Sequence, residues 1–237
     1  MIKRRMNNWL PALADLFLPD TCILCGMILE QPSPRLCCDF CWQAFPRIDQ
    51  PCRHCAQPVS EGRLCGRCLV QPLTQGIAVV PLRYERYAQE LIHQLKFKNS
   101  LRAARTLSQV LYESIVIMYA GQSLPEAIVP TPLSWRRHVL RGYNQCDRLS
   151  LELSAQLEVP IRHLLKRRHG PVQHGRTLAQ RATQSRRSFE LVRSNVPPHI
   201  ALLDDVITTG TTMSNMARAL NRGGARRIDL WAPCRAT

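Results

Sequence analysis

The stretch Ile200-Ala201-Leu202-Leu203-Asp204-Asp205-Val206-Ile207-Thr208-Thr209-Gly210-Thr211-Thr212-Met213 decides the fold of this 237-residue chain. Ile200 to Leu203 is a short apolar run of the kind that forms a strand buried on both faces, as in a parallel sheet. Met213 to Leu220 predicts a helix stopped by Gly223 and Gly224, and Gly210 lets the backbone turn tightly before it. A strand, a Gly/Thr turn and a helix N-terminus aim several backbone N–H groups at one point, where an anion is stabilised. The threonine hydroxyls add donors. Two carboxylates one step earlier would repel that anion, so they suit another task, such as accepting hydrogen bonds from sugar hydroxyls. An anion site beside a polyol site describes a ribose 5-phosphate. No G-x-x-x-x-G-K-[ST] occurs, which excludes a P-loop.

Residues Leu202 to Thr212 resemble the phosphoribosyl pyrophosphate (PRPP) signature of type I phosphoribosyltransferases. The whole chain, Cys-rich head included, is similar to the ComF/GntX family, which is linked to DNA uptake and utilization. The resemblance implies an α/β fold: a type I phosphoribosyltransferase-like parallel sheet flanked by helices, with a small N-terminal double zinc ribbon. It also implies that Asp204 and Asp205 hold the ribose hydroxyls, while Thr208, Thr209, Gly210, Thr211 and Thr212 hold the 5′-phosphate. Mg2+ would accompany PRPP in an active enzyme. Because one fold hosts many functions, this signal speaks more strongly for binding than for catalysis.

Nine of the eleven cysteines lie between Cys22 and Cys68, and eight of them form C-x-x-C pairs. These are Cys22/Cys25, Cys38/Cys41, Cys52/Cys55 and Cys65/Cys68. Two thiolates three residues apart on a tight turn chelate one Zn2+, and a second such knuckle completes a tetrahedron. Two structural zinc sites are therefore expected, closed because every ligand is a protein thiolate. Disulfides would need an oxidising compartment. Sequential pairing joins the first knuckle with the second and the third with the fourth, and the family resemblance supports it. Cross-braced pairing uses the same ligands. Cys37 is the spare thiol and replaces Cys38 only by lengthening a knuckle.

The remaining sequence divides into an amphipathic helix at residues 1–19, the ribbons at 20–72 and an α/β domain at 73–237. Trp9, Leu10, Leu13, Leu16 and Phe17 share one helical face of the first segment, and no small-residue cleavage site follows it, so a cytoplasmic protein is expected. No apolar run is long enough to span a membrane. Within the α/β domain, strands are predicted at Ile77–Arg83, Ala127–Val129, Ile161–Leu165 and Arg227–Trp231. Helices are predicted at Tyr84–Phe97, Leu101–Tyr119 and from Arg141 to Leu157. After the Ala127–Val129 strand comes the position of a pyrophosphate loop in type I phosphoribosyltransferases. Arg136, Arg137 and Arg141 are candidates there, since guanidinium groups grip a diphosphate bidentately. Gln173 to Phe189 resembles a family segment in which Arg181 falls on the pattern's arginine and Gln184 departs from its usual Asn. A loop there would close on PRPP with Arg181 as catalytic residue, or serve as a basic arm toward nucleic acid.

The net charge is +15, from 32 basic and 17 acidic side chains. Two zinc sites of four thiolates each would reduce it to about +11. The excess is uneven, for Pro130 to Ile200 holds 13 Lys/Arg against four acids. Such a surface favours polyanions. The rival to a PRPP-binding protein is thus a single-stranded-DNA adaptor that works with DNA-uptake proteins. Its aromatic content of 6% is thin for base stacking, so it would lean on phosphates.

Overall fold

The computed structural model describes residues 20–133, 139–167 and 188–236. The predicted first helix, Arg136, Arg137 and Arg181 lie outside these residues.

The apolar run behaves as its composition requires. Strand β6 (His199–Leu203) is buried along four of its five residues and lies between two parallel partners. On one side it pairs with β3 (Ala127–Pro130), on the other with β8 (Arg227–Trp231). Strand β1 (Ala78–Val79) completes a four-stranded parallel sheet of order β1-β8-β6-β3. Alternate residues of β6 enter two separate cores: Ala201 and Leu203 in one, Ile200 and Leu202 in the other. That two-sided burial explains why the strand reads as continuous apolar sequence rather than as alternation.

The sheet resumes after a short break in three of its strands. Strands β2 (Leu82–Arg83), β7 (Val206–Ile207) and β9 (Cys234–Arg235) form a second parallel sheet of order β2-β9-β7. The breaks fall at Val80-Pro81, Asp204-Asp205 and Ala232-Pro233. Proline has no N–H to give the ladder. The strand predicted over Ile77–Arg83 is therefore two short strands rather than one.

Three helices cover the first core: α3 (Arg86–Phe97), α4 (Leu101–Met118) and α5 (Gln145–Leu157). Leu91, Ile92, Leu95, Leu107, Leu111, Leu149 and Leu153 pack there against Ile128, Leu203 and Trp231. Asn144 caps α5 by accepting from Cys146 N at 3.1 Å, so this helix begins four residues later than the sequence suggested. The opposite core is covered by α6 (Thr211–Arg222), through Met213, Met216 and Leu220. The expected strand at Ile161–Leu165 is reduced to one parallel bridge, Ile161 to Ile128. Instead β4 (Leu165–Arg167) pairs antiparallel with β5 (Phe189–Leu191), which rests on α6.

The two halves of the head carry one short helix each, α1 (Asp39–Gln43) and α2 (Gly66–Val70). They divide between the faces of the sheet. Cys22, Cys41, Trp42 and Phe45 join the first core, whereas Cys52, Cys55, Cys68 and Leu73 join the second.

Candidate ribose-phosphate site and metal sites

The cysteines gather into two groups, Cys22/Cys25/Cys38/Cys41 and Cys52/Cys55/Cys65/Cys68, with all sulfurs of a group within 4.8 Å of one another. Cys25 and Cys38 Sγ lie 3.8 Å apart, and Cys55 and Cys65 Sγ 3.6 Å. Zn–S bonds of about 2.3 Å at tetrahedral angles separate sulfurs by about 3.8 Å, so both groups fit Zn2+. Pairing is sequential. Cys37 stands outside the first group although its Sγ is 3.8 Å from that of Cys22. One thiol in each group is primed for ionisation. Burial raises Cys22, but backbone N–H groups of Cys25, Cys38 and Leu24 outweigh it and bring the thiol down to about 6. Cys52 comes down to about 7 in the same way, burial being outweighed chiefly by the backbone of Cys65 and His54.

At the carboxyl end of β6 the chain leaves the sheet at Asp204 and Asp205. Asp204 N donates to Trp231 O at 3.0 Å, which fixes the departure point. Its Oδ1 accepts from Asp205 N at 3.0 Å and from the buried Cys146 thiol at 3.4 Å. Burial, then the charge of Asp205, raises Asp204 to about 7. Asp205 is itself buried, and its Oδ2 faces Lys96 Nζ at 3.2 Å. Two adjacent carboxylates are thus held in partly dry surroundings with one lysine between helix α3 and the sheet. Unligated, such a pair is electrostatically strained, and groups that donate hydrogen bonds to it relieve the strain.

The Thr/Gly loop follows. Thr208, Thr209 and Thr211 are exposed, Thr212 is half-buried and Gly210 is buried. Gly210 has φ +76°, and a side chain there would meet Leu73 Cδ1 at 2.5 Å. Both facts demand glycine. Thr209 Oγ1 accepts from Thr211 N at 3.4 Å and lies 2.9 Å from Thr211 Oγ1. The first-turn N–H groups of α6 have no intrahelical acceptor and open onto the same loop. The second ribbon reaches this loop as well: Arg67 Nη1 in α2 donates to Thr209 O at 2.7 Å.

Arg141 is half-buried, 3.1 Å from Gln145 Oε1, with its guanidinium 5.2 Å from the centre of the Phe97 ring. It therefore sits between the end of α3 and the start of α5, the elements that supply Lys96 and Cys146. Neither residue is among the site residues that the sequence pattern offers. Neither contact has a local signal, because each bridges segments more than fifty residues apart.

The chain is an α/β protein, a parallel sheet flanked by helices, with a double zinc ribbon at its head. Residues 13–69 match the Double zinc ribbon domain family. The chain is 34% identical over 227 residues to Competence protein F of Haemophilus influenzae, a match covering 91% of this chain and 96% of that protein. It is 33% identical over 227 residues to the DNA utilization protein YhgH of Escherichia coli, covering 93% and 99%. The chain belongs to the ComF/GntX family. Among solved structures, glutamine PRPP amidotransferase from B. subtilis aligns with a TM-score of 0.38 at 16% identity, over 59% of this chain and 30% of that one. Among the described residues no helix is long and apolar enough to cross a membrane.

Proposed function

We propose that this protein binds PRPP or a related ribose 5-phosphate and takes part in the uptake or utilization of external DNA. The observation that carries the first half is the carboxylate pair at the end of β6, followed at once by the Thr/Gly loop on the N-terminus of α6. The loop supplies N–H and hydroxyl donors for the 5′-phosphate, and the carboxylates accept from the 2′- and 3′-hydroxyls. In that order they match the two ends of one ribose phosphate. The names of relatives similar along nearly the whole chain support the second half.

Transfer chemistry would follow from the same geometry. An acceptor nucleophile forms a bond to C1 of the ribose as the C1–O bond to pyrophosphate breaks, and the electron pair leaves with the diphosphate. Asp204 and Asp205 would orient the sugar, and Arg141 would add positive charge beside the leaving group. Arg136, Arg137 and Arg181 belong to the same proposal through the family resemblance. Mg2+ would arrive chelated by the pyrophosphate.

Thermal unfolding with PRPP, ribose 5-phosphate and an oligothymidylate in parallel tests the reading. PRPP and ribose 5-phosphate should raise Tm in proportion to the logarithm of their concentration, and the response should vanish in Asp204→Asn/Asp205→Asn. Stabilisation by the oligonucleotide alone would favour a DNA adaptor instead.

A further inference from the structure

The amino edge of the sheet, opposite the ribose-phosphate site, carries a second cleft that the family site does not explain. It holds about 510 Å3 and is lined by Arg53, His54, Arg63, Leu64, Gln75, Gly76, Ile77, Gln122 and Arg227. Arg227 opens β8 and Trp231 closes it, so the cleft and Asp204 lie one five-residue strand apart, roughly 16 Å at ~3.3 Å per residue.

Arg53 and Arg63 of the second ribbon and Arg227 of β8 line the cleft together, and among the described residues no carboxylate does. The main chain that carries them is held in place. Arg53 N donates to Arg63 O at 2.9 Å, and Ala78 N donates to Arg53 O at 2.7 Å, which ties the ribbon loop to the sheet. His54 Nδ1 donates to Gly76 O at 2.7 Å. Gly76 must be glycine, since a side chain would come within 2.2 Å of Asp229 Oδ1 and Ile228 O. Beneath them the fully buried Asp229 accepts from Ile77 N, Tyr119 Oη, His199 Nε2 and Arg227 Nε. Those contacts engage Nε of Arg227, which also lines the cleft. Asp229 already answers the charge of Arg227, so the two ribbon arginines are the cations that an incoming anion would join. Guanidinium groups are suited to bidentate bonding of phosphate oxygens. Gln75 and Gln122 place two amides, each both donor and acceptor, at the rim, and Leu64 and Ile77 give an apolar wall.

We infer that this cleft is a binding site for a nucleoside monophosphate: phosphate on the arginines, base or sugar edge on the glutamines. The inference stands apart from the PRPP reading, because the two sites share no residue.

Calorimetric titration of the zinc-loaded full chain with dTMP, at low salt, tests it. Saturable binding is expected, at least about tenfold weaker for thymidine and for Arg53→Gln/Arg63→Gln. It should persist in Asp204→Asn/Asp205→Asn, whose PRPP response is lost. Zinc content verifies that the arginine variant keeps its ribbon. Gln122→Ala, which lies outside the ribbon, should weaken dTMP a few-fold and guards against a folding defect. Absence of saturable binding, undiminished binding in both cleft variants, or loss only in the aspartate variant would overturn the assignment. A 5′-phosphorylated oligothymidylate that binds more than about tenfold tighter than dTMP would also overturn it, in favour of a strand end.

Discussion

The two zinc ribbons share ligand type and the C-x-x-C knuckle, yet they are attached to the molecule differently. The first rests on helix α4. Thr106 Oγ1 donates to Arg35 O at 2.9 Å, Arg35 Nε meets Glu113 Oε1 at 3.1 Å, and Arg102 donates to Thr21 O. None of these contacts touches the carboxyl end of β6. The second ribbon lies on the other face of the sheet and spans it from edge to edge. Arg67 holds Thr209 O at the loop, Leu73 supports Gly210, and Arg53, His54 and Arg63 line the cleft at the amino edge. The same ligand set therefore rests on a helix in one place and touches the Thr/Gly loop and the cleft in the other.

The largest effect expected from this contrast comes from removing one knuckle at a time. Cys38→Ser/Cys41→Ser and Cys65→Ser/Cys68→Ser should each lower zinc from two equivalents per chain to one by elemental analysis, because ribbon folding is coupled to metal binding. PRPP affinity should separate them: at least about tenfold weaker for the second-ribbon variant, within about twofold for the first. Equal losses would erase the distinction between the two ribbons.

Two glycines sharpen the comparison at smaller cost. Gly26 in the first ribbon (φ +75°) and Gly210 in the loop (φ +76°) have the same left-handed backbone. A side chain at Gly26 meets nothing within 4 Å, whereas one at Gly210 meets Leu73 at 2.5 Å. Gly26→Ala should cost about 1 kcal/mol by denaturant melts, the backbone term alone. Gly210→Ala should cost about 2–4 kcal/mol, because overpacking adds to that term. Similar values would show that Leu73 yields freely.

The smallest effect is the pH response of Asp204. Its carboxyl is raised to about 7, above its ordinary value, so between roughly pH 4 and 7 the folded chain keeps a proton that the unfolded chain has released. Stability falls as pH rises through that window. Asp204→Asn should therefore stabilise the ligand-free protein near pH 8 by on the order of 1–2 kcal/mol, as Asp204 is only half-buried, with little change near pH 4. PRPP affinity of the unmodified chain should move the opposite way, weakening as pH falls from about 8 to 6, because a protonated acid loses acceptor capacity.

Legibility in the sequence followed the range of the interactions. Ile200–Leu203 announced a doubly buried strand because both faces left their mark on each residue, and the knuckles announced zinc because their ligands are local. Proline spacing could have warned that Ile77–Arg83 would break, since Pro81 and Pro233 interrupt neighbouring strands together. What could not be read was anything joining distant segments through one side chain. Lys96 on Asp205, Cys146 on Asp204, Arg67 on Thr209 and the arginine cleft each depend on how the sheet is ordered. Arg141 was singled out by its position relative to a strand, which the sequence does record.

The measurement closest to the centre of the account is calorimetric titration of PRPP with Mg2+ into the full chain and into Asp204→Asn/Asp205→Asn. Each ribose hydroxyl bound to a carboxylate contributes about 1.5–3 kcal/mol. The variant should therefore bind at least about tenfold more weakly while keeping two zinc equivalents and an undiminished melting temperature. Equal affinity in the two proteins would contradict the claim that the carboxylate pair and the loop after it form a ribose-phosphate site.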